Sequence, residues 1–95
     1  MNEGIAITMP LPRLSAILVS WNRRAYLEKA IQSLLDQHYD GLEIIVVDNG
    51  STDDSREWLR SRSDIILIEN QANAGAAAAR NQGLRVATGA YTLFM

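Results

Sequence analysis

Cysteine is absent from this 95-residue chain, and histidine occurs once, at His38. The missing thiols exclude disulfides and thiol catalysis, and their absence fits a reducing compartment. A metal ion could therefore be bound only through oxygen ligands or through His38. We expect His38 to be structural and to have no chemical role, because it falls near the end of a helix on its apolar side.

A charge excess and long apolar runs are also lacking. Nine basic and eleven acidic residues give a net charge of -2 without any block of like charge. Neither nucleic acid nor an anionic bilayer is therefore expected as a partner. No segment approaches the roughly twenty apolar residues of a membrane span, and the opening residues lack the features of a secretory signal. We expect a soluble chain in the cytoplasm, or at the inner membrane face within a longer protein.

Two phosphate-binding motifs are missing. No G-x-G-x-x-G follows the first apolar segment, where Trp21 and Asn22 occupy the turn, and this argues against a nicotinamide dehydrogenase. No G-K-[ST] occurs either, so nothing indicates a phosphoryl-transfer loop.

Short apolar segments alternate with segments of helical periodicity. Strands are predicted at 14–20, 42–47, 64–69 and 90–95, and helices at 23–38, 53–62 and 74–87. This order predicts an α/β fold of three layers, in which helices cover both faces of a mostly parallel sheet of about four strands. No linker or repeat divides the chain, so we expect one domain over residues 1–95 that opens with an irregular segment at 1–13.

Polar residues follow the first three strands, at the sheet edge where ligands bind in such folds. The first strand ends at Ser20-Trp21-Asn22, the second at Asp48 within VVDNGSTDDS (46–55), and the third before residues 70–75. A carboxylate facing this crevice can accept hydrogen bonds from a base N–H or a ribose hydroxyl, and an indole can stack on a flat ring. We therefore predict that Asp48 binds a ligand and that Trp21 contacts a base.

Ordinary structural roles compete with these predictions. Asn49-Gly50 suits a turn, and residues 51–54 suit the start and the cap of the next helix. Trp21 could instead pack in the core. Arg80, in an alanine-rich helix, could reach a phosphate or a base oxygen, although its spacing alone favours a surface or ion-paired arginine. The glutamates, including Glu43, are expected to be solvated charges.

Taken together, three motifs resemble the amino-terminal half of family 2 glycosyltransferases with the GT-A fold. The motifs are VSWN (19–22), EIIVVDNGSTD (43–53), and N-x-G (73–75) followed by A-R-N-x-G (79–83). The match runs from about Leu14 to Met95. It implies a Rossmann-like sheet of strand order 3-2-1-4 and a nucleotide-diphosphate sugar donor, most often of uridine or deoxythymidine.

The resemblance also implies roles for single residues. Asp48 matches the family aspartate that contacts the base, and Trp21 matches the position of an aromatic that lines the base pocket. Arg80 falls in the A-R-N segment. Asn49 stands where many members have a second aspartate, which leaves the choice of donor open.

The family reaction inverts the anomeric carbon, with a carboxylate base and a divalent cation, Mg or Mn, held by a D-x-D motif after the fourth strand. The resemblance therefore places the metal motif, the acceptor site and the base beyond Met95. It implies that the chain alone is a truncated, inactive region that holds no cation firmly. The fourth strand would be a sheet edge carrying Leu93 and Phe94, so we expect self-association there.

A class without catalysis stays open, namely an α/β interaction or regulatory module such as a receiver-like domain. A receiver would carry an acidic pair after the first strand, where this chain has Ser20-Trp21-Asn22. It would also carry an aspartate after the third strand, where Glu69-Asn70 stands.

Overall fold

Strands and helices alternate along residues 12–95, the part of the chain that the computed structural model describes. The elements are β1 (Leu14–Ser20), α1 (Arg24–Leu35), β2 (Leu42–Asp48), α2 (Ser55–Arg60), β3 (Ile66–Glu69), α3 (Ala76–Val86) and β4 (Tyr91–Phe94). All seven predicted elements are present, with ends that differ from the prediction by a few residues. Most of the irregular segment predicted at 1–13 lies outside the described residues.

The four strands form one parallel sheet in the order β3-β2-β1-β4, as predicted. β1 and β2 are rich in β-branched residues and leucine, and both are buried over most of their length, as expected for central strands of a parallel sheet. The register aligns Ser20 with Asp48, and Asp48 with Glu69. The carboxyl ends of three adjacent strands therefore lie at one level.

The helices cover both faces of this sheet. On one face, Ala16, Leu18, Ile44 and Val46 pack with Leu27, Ile31 and Leu34 of α1 and Leu59 of α2. Burying each leucine contributes about 1.5–3 kcal/mol. On the other face α3 lies against β1 and β2, and a Cβ at Gly83 would come within 2.6 Å of the Ile17 side chain. The predicted three-layer arrangement is therefore present.

Glu43 is not the solvated charge that its position suggested, because only 8% of the residue is exposed. Its carboxylate accepts hydrogen bonds from the Ser15 hydroxyl at 2.6 Å and from the Thr88 N–H at 2.6 Å, and Arg13 lies 3.6 Å away. Burial by itself would raise the pKa of Glu43, but these hydrogen bonds and the arginine outweigh it and hold that pKa below its usual value. The carboxylate thus fixes the turn that leads into β4.

The end of α1 also differs from expectation. His38 is exposed and has a positive φ of 51°, and its N–H donates to the Leu35 carbonyl at 3.1 Å. His38 therefore lies in the turn that follows α1, which ends at Leu35, and is not part of the helix itself. The longest helix has 12 residues, and among the described residues none joins the length and the apolar content of a transmembrane span.

Candidate functional site

The three motif-bearing loops leave the sheet side by side. The Asn49 N–H donates to the Ser20 carbonyl at 2.8 Å, and the Asn70 N–H donates to the Asp48 carbonyl at 2.8 Å. Hydrogen bonding between the strands thus continues one residue beyond the ends of β2 and β3. The prediction that these loops share one edge of the sheet is confirmed.

Trp21 lies at this edge with 50% of its surface exposed, so it is not a core residue. The next residue, Asn22, has a positive φ of 52°, a conformation that asparagine adopts more readily than most residues. The Asn22 N–H donates to the Ser51 hydroxyl at 2.9 Å. The loop that carries the indole is therefore held in place by a hydrogen bond to the loop that follows β2.

The segment before α2 is held both by its own side chains and by the first loop. Oδ1 of Asp53 accepts a hydrogen bond from the Ser55 N–H at 3.0 Å, whereas Asp54, at the N-cap position, makes no side-chain cap hydrogen bond. Oδ1 of Asn22 accepts from the N–H groups of Thr52, at 2.7 Å, and Asp53, at 3.2 Å. A residue of the first loop thus satisfies backbone amides of the second.

Asp48 was predicted to face the crevice, and the structure places its carboxylate differently. The residue is fully buried. Its Oδ2 accepts hydrogen bonds from the Ser51 N–H at 3.1 Å and from Nε of Arg56 at 2.9 Å, while Oδ1 has no partner among the described residues. The carboxylate lies on the face covered by α1 and α2, because Asp48 continues the alternation of Ile44 and Val46.

Arg56 is the residue that the sequence reasoning missed. Its guanidinium bonds Asp48 and also donates to the Asn70 carbonyl, so it ties α2 to the ends of β2 and β3. Glu69 lies 3.9 Å from it and forms its closer pair with Arg60, at 2.7 Å. A buried carboxylate needs a compensating cation, and an arginine in the first turn of the following helix was the available signal.

Asn49 lies on the opposite side of β2 from Asp48 and is 3% exposed. Its side-chain amide contacts the loop of residues 70–75 through Asn73, Ala74 and Gly75. Asn49 therefore lies at the edge where the strands end, with its polar atoms directed into the protein.

Gly50 brings the second and third loops into direct contact. Its φ is 92°, and a Cβ there would lie 2.8 Å from the carbonyl carbon of Ala72 and 3.0 Å from the Asn73 nitrogen. Both the backbone conformation and the close approach require glycine at this position.

Arg80 lies in α3, directly after the buried Ala79, and is itself exposed. Within residues 12–95 no side-chain hydrogen bond or ion pair joins its guanidinium to Trp21, Asn22, Asp48 or Asn49. The structure thus brings five of the six predicted residues to one edge, and leaves the sixth as a solvent-facing cation on the adjacent helix.

The described part of the chain contains no cluster of metal-ligating side chains. Over residues 12–95, no group of three or more histidine, aspartate or glutamate side chains is placed to hold a metal ion. Asp48 is already compensated by Arg56.

Comparison with known proteins shows which protein family the chain matches. The model of the family described as glycosyl transferase family 2 matches residues 15–95. An uncharacterised glycosyltransferase of Haemophilus influenzae is 40% identical over 91 residues, which are 92% of this chain and 36% of that protein. The UDP-Glc:alpha-D-GlcNAc-diphosphoundecaprenol beta-1,3-glucosyltransferase WfaP of Escherichia coli is 37% identical over 84 residues, which are 86% of this chain and 34% of that protein.

A solved structure is similar as well. The mannosyltransferase PcManGT of Pyrobaculum calidifontis, in complex with GDP-Man and Mn2+, has 34% identity and a TM-score of 0.73, over 85% of this chain and 26% of that chain. The chain thus spans about a third of the length of these two relatives and about a quarter of the length of this solved structure.

Proposed function

Because the chain belongs to glycosyl transferase family 2 and has the four-stranded sheet of the GT-A transferases, we propose that it binds the nucleoside part of a nucleotide-diphosphate sugar. The site is the edge where β1, β2 and β3 end. The observation that carries the proposal is the half-exposed indole of Trp21 beside three strand ends in register. Parallel α/β sheets bind ligands at this edge.

The proposed residues act in two ways. Trp21 offers a flat apolar surface on which a base can stack, and Arg80 offers an exposed cation that suits a phosphate. Ser20, Asn22, Asp48 and Asn49 hold the loops around the indole, so their contribution to binding is mainly positional.

The nucleoside is proposed to be uridine or deoxythymidine. The Escherichia coli relative named above is described as using UDP-Glc, whereas the Pyrobaculum protein binds GDP-Man, so relatives of this chain accept both base classes. A pyrimidine needs less room beside Trp21 than a purine. Titrations with uridine, deoxythymidine and guanosine diphosphates decide between them.

The whole protein is proposed to transfer the sugar to an acceptor hydroxyl with inversion at the anomeric carbon. Because the described residues contain no group of three or more side chains placed to hold a metal ion, we assign them no step that uses a cation. We propose that the 95-residue chain alone binds nucleotide weakly and does not transfer sugar. Metal-dependent sugar transfer by this chain would refute that part of the proposal.

Two tryptophans make a direct binding experiment possible, because Trp58 packs elsewhere in the fold. Trp58 is partly buried against the core, and the guanidinium of Arg62 lies 5.0 Å from its ring centre. In a Trp58→Phe variant all tryptophan fluorescence comes from Trp21. We expect uridine or deoxythymidine diphosphate to quench this fluorescence in a saturable way.

The matched control is the Trp21→Phe variant, whose fluorescence comes from Trp58 and should not change beyond the absorbance correction. Ligand-observed NMR on both variants provides a measurement that does not depend on fluorescence. If Trp21 fluorescence stays constant and the nucleotide resonances show no binding to the protein in NMR, the proposed site is wrong.

The outer edge of β4 is exposed and apolar. β4 pairs only with β1 among the described strands, and Tyr91, Leu93 and Phe94 are 64%, 50% and 46% exposed. We propose that a second copy pairs along this edge, since unpaired strand edges with apolar side chains favour such contacts.

We also propose that the protein is located in the cytoplasm, in keeping with a chain that contains no cysteine.

A further inference from the structure

We propose that Asn49 is a positioning residue whose carboxamide locks the loop of residues 70–75 onto the end of β2, in a geometry that a carboxylate cannot reproduce. The lock itself depends only on the contacts of Asn49 with that loop. Its consequence for ligand binding, that the locked loop forms one wall of the nucleotide site, rests on the proposed function.

Two backbone groups fix the orientation of the Asn49 amide. The Ala74 N–H can only donate, and it lies 2.9 Å from Oδ1 of Asn49. The Gly75 carbonyl can only accept, and Nδ2 of Asn49 lies 3.4 Å from it. Exchanging the oxygen and nitrogen of the amide would spoil both contacts, so position 49 must present one acceptor and one donor.

A third contact makes the demand for a donor stronger. Nδ2 of Asn49 also donates to Oδ1 of Asn73 at 3.0 Å. That oxygen cannot be exchanged for nitrogen by rotation of the Asn73 amide, because it already accepts a hydrogen bond from the Gly75 N–H at 2.8 Å. An ionised aspartate side chain at position 49 would therefore bring a carboxylate oxygen against two acceptors, Oδ1 of Asn73 and the Gly75 carbonyl. Only 3% of the residue at this position is exposed, so water could not separate these oxygens.

The lock extends from the loop to α3. Nδ2 of Asn70 donates to Oδ1 of Asn49 at 3.2 Å and to Oε1 of Gln82 at 2.7 Å. Nε2 of Gln82 returns a hydrogen bond to Oδ1 of Asn70 at 2.8 Å. Neutral amides thus join the end of β2, the loop and the third helix, and Asn49, Asn70 and Gln82 each use both a donor and an acceptor.

Among residues 12–95, no cationic side chain contacts the Asn49 carboxamide, whose partners are amide and backbone groups of the loop 70–75. The loop 70–75 contains no charged residue. The charged groups on the adjoining elements include Asp48 and Arg56, which pair on the other side of β2, Glu69, which pairs with Arg60, and the exposed Arg80 of α3.

The test compares Asn49→Asp with Asn49→Ala and with Gln71→Glu, which adds the same charge at an exposed position of the same loop. Thermal unfolding is measured between about pH 4 and pH 7. A protonated aspartic acid can donate to one of the two oxygens, so its folded-state pKa should lie above the ordinary value of about 3.9. The folded chain then holds a proton that the unfolded chain has lost, and stability falls as the pH rises.

We expect Asn49→Asp to melt close to Gln71→Glu near pH 4 and at least about 5 °C below it near pH 7. Asn49→Ala removes the hydrogen bonds without adding a charge, so its deficit should not change with pH. Asn73→Ser in the Asn49→Asp background should restore part of the loss, because a hydroxyl can donate to the introduced carboxylate while accepting from the Gly75 N–H.

Nucleotide titration of the same variants separates this proposal from the proposed function. Weaker binding by Asn49→Asp near pH 7 that recovers near pH 5 supports both. A wild type that binds no nucleotide, together with the pH-dependent melting difference, refutes the proposed function and leaves the lock in place. If the melting temperatures of Asn49→Asp and Gln71→Glu differ by the same amount at every pH, the proposed role of Asn49 is wrong.

Discussion

Replacing Arg56 by methionine should destabilise the fold strongly, because it leaves the carboxylate of Asp48 buried without its cation. Asp48 is fully buried, and the Arg56 side chain is 26% exposed. After the substitution, Oδ2 would keep only the hydrogen bond from the Ser51 N–H. The Asn70 carbonyl would also lose a donor.

The size of the loss follows from these contacts. Removing one partner of a buried ion pair costs about 3–5 kcal/mol, since the remaining charge is uncompensated. Because Arg56 is partly exposed, water can reach the space it leaves, and we expect the lower end, about 3 kcal/mol. In a domain of this size such a loss lowers the melting temperature by about 12–24 °C.

Thermal unfolding followed by circular dichroism measures this loss, and two further variants control it. Arg60→Met removes an arginine of the same helix whose side chain is 59% exposed, so it should cost less than about 1 kcal/mol. The double variant Asp48→Asn, Arg56→Met removes both charges of the pair and should recover part of the loss. Equal losses in Arg56→Met and Arg60→Met would refute the argument that Asp48 depends on Arg56.

Three further predictions test other parts of the fold. Glu43→Gln should cost about 1–2 kcal/mol at neutral pH. Because the pKa of Glu43 is lowered by folding, its contribution should be lost as the pH falls below about 4.5, which urea unfolding at several pH values measures. Gly50→Ala should cost about 1–3 kcal/mol more than Gly75→Ala in the same assay, since both have positive φ but only Gly50 has atoms within 4 Å of an added Cβ. Leu93→Lys should lower the sedimentation coefficient at high concentration, whereas a wild type that is monomeric throughout would contradict pairing along β4.

Much of the fold could be predicted because the apolar pattern is strong. Leu27, Ala30, Ile31 and Leu34 recur at the spacing of one helical face, and all four are buried in α1. β1 and β2 are continuous apolar runs, typical of strands covered on both faces. Their order in the sheet was implied by the family resemblance, and the observed order confirms it.

The orientation of Asp48 could not be predicted with the same ease. In a strand buried on both faces, apolar residues occupy both sides, so the pattern does not reveal which helix covers which face. The partner that compensates Asp48 lies eight residues away in α2. The Asn22 side chain satisfies backbone amides 30 and 31 residues further along the chain. Such contacts depend on how the loops pack, which no local pattern records.

Asp48 and Asn49 are adjacent, and each holds a loop on a different side of β2. Asp48 holds Ser51 and α2 through Arg56, and Asn49 holds the loop 70–75. Because Oδ2 of Asp48 and the Asn49 amide are already engaged in the fold, we expect direct contact with a ligand mainly from exposed side chains such as Trp21. Substitution of Trp21 should therefore change nucleotide affinity with a smaller change in unfolding, because half of the surface of this residue is already exposed to solvent. Substitution of Asp48 or Asn49 should change affinity and unfolding together, and a variant of Asp48 that lost affinity at unchanged stability would show that its carboxylate contacts the ligand after all.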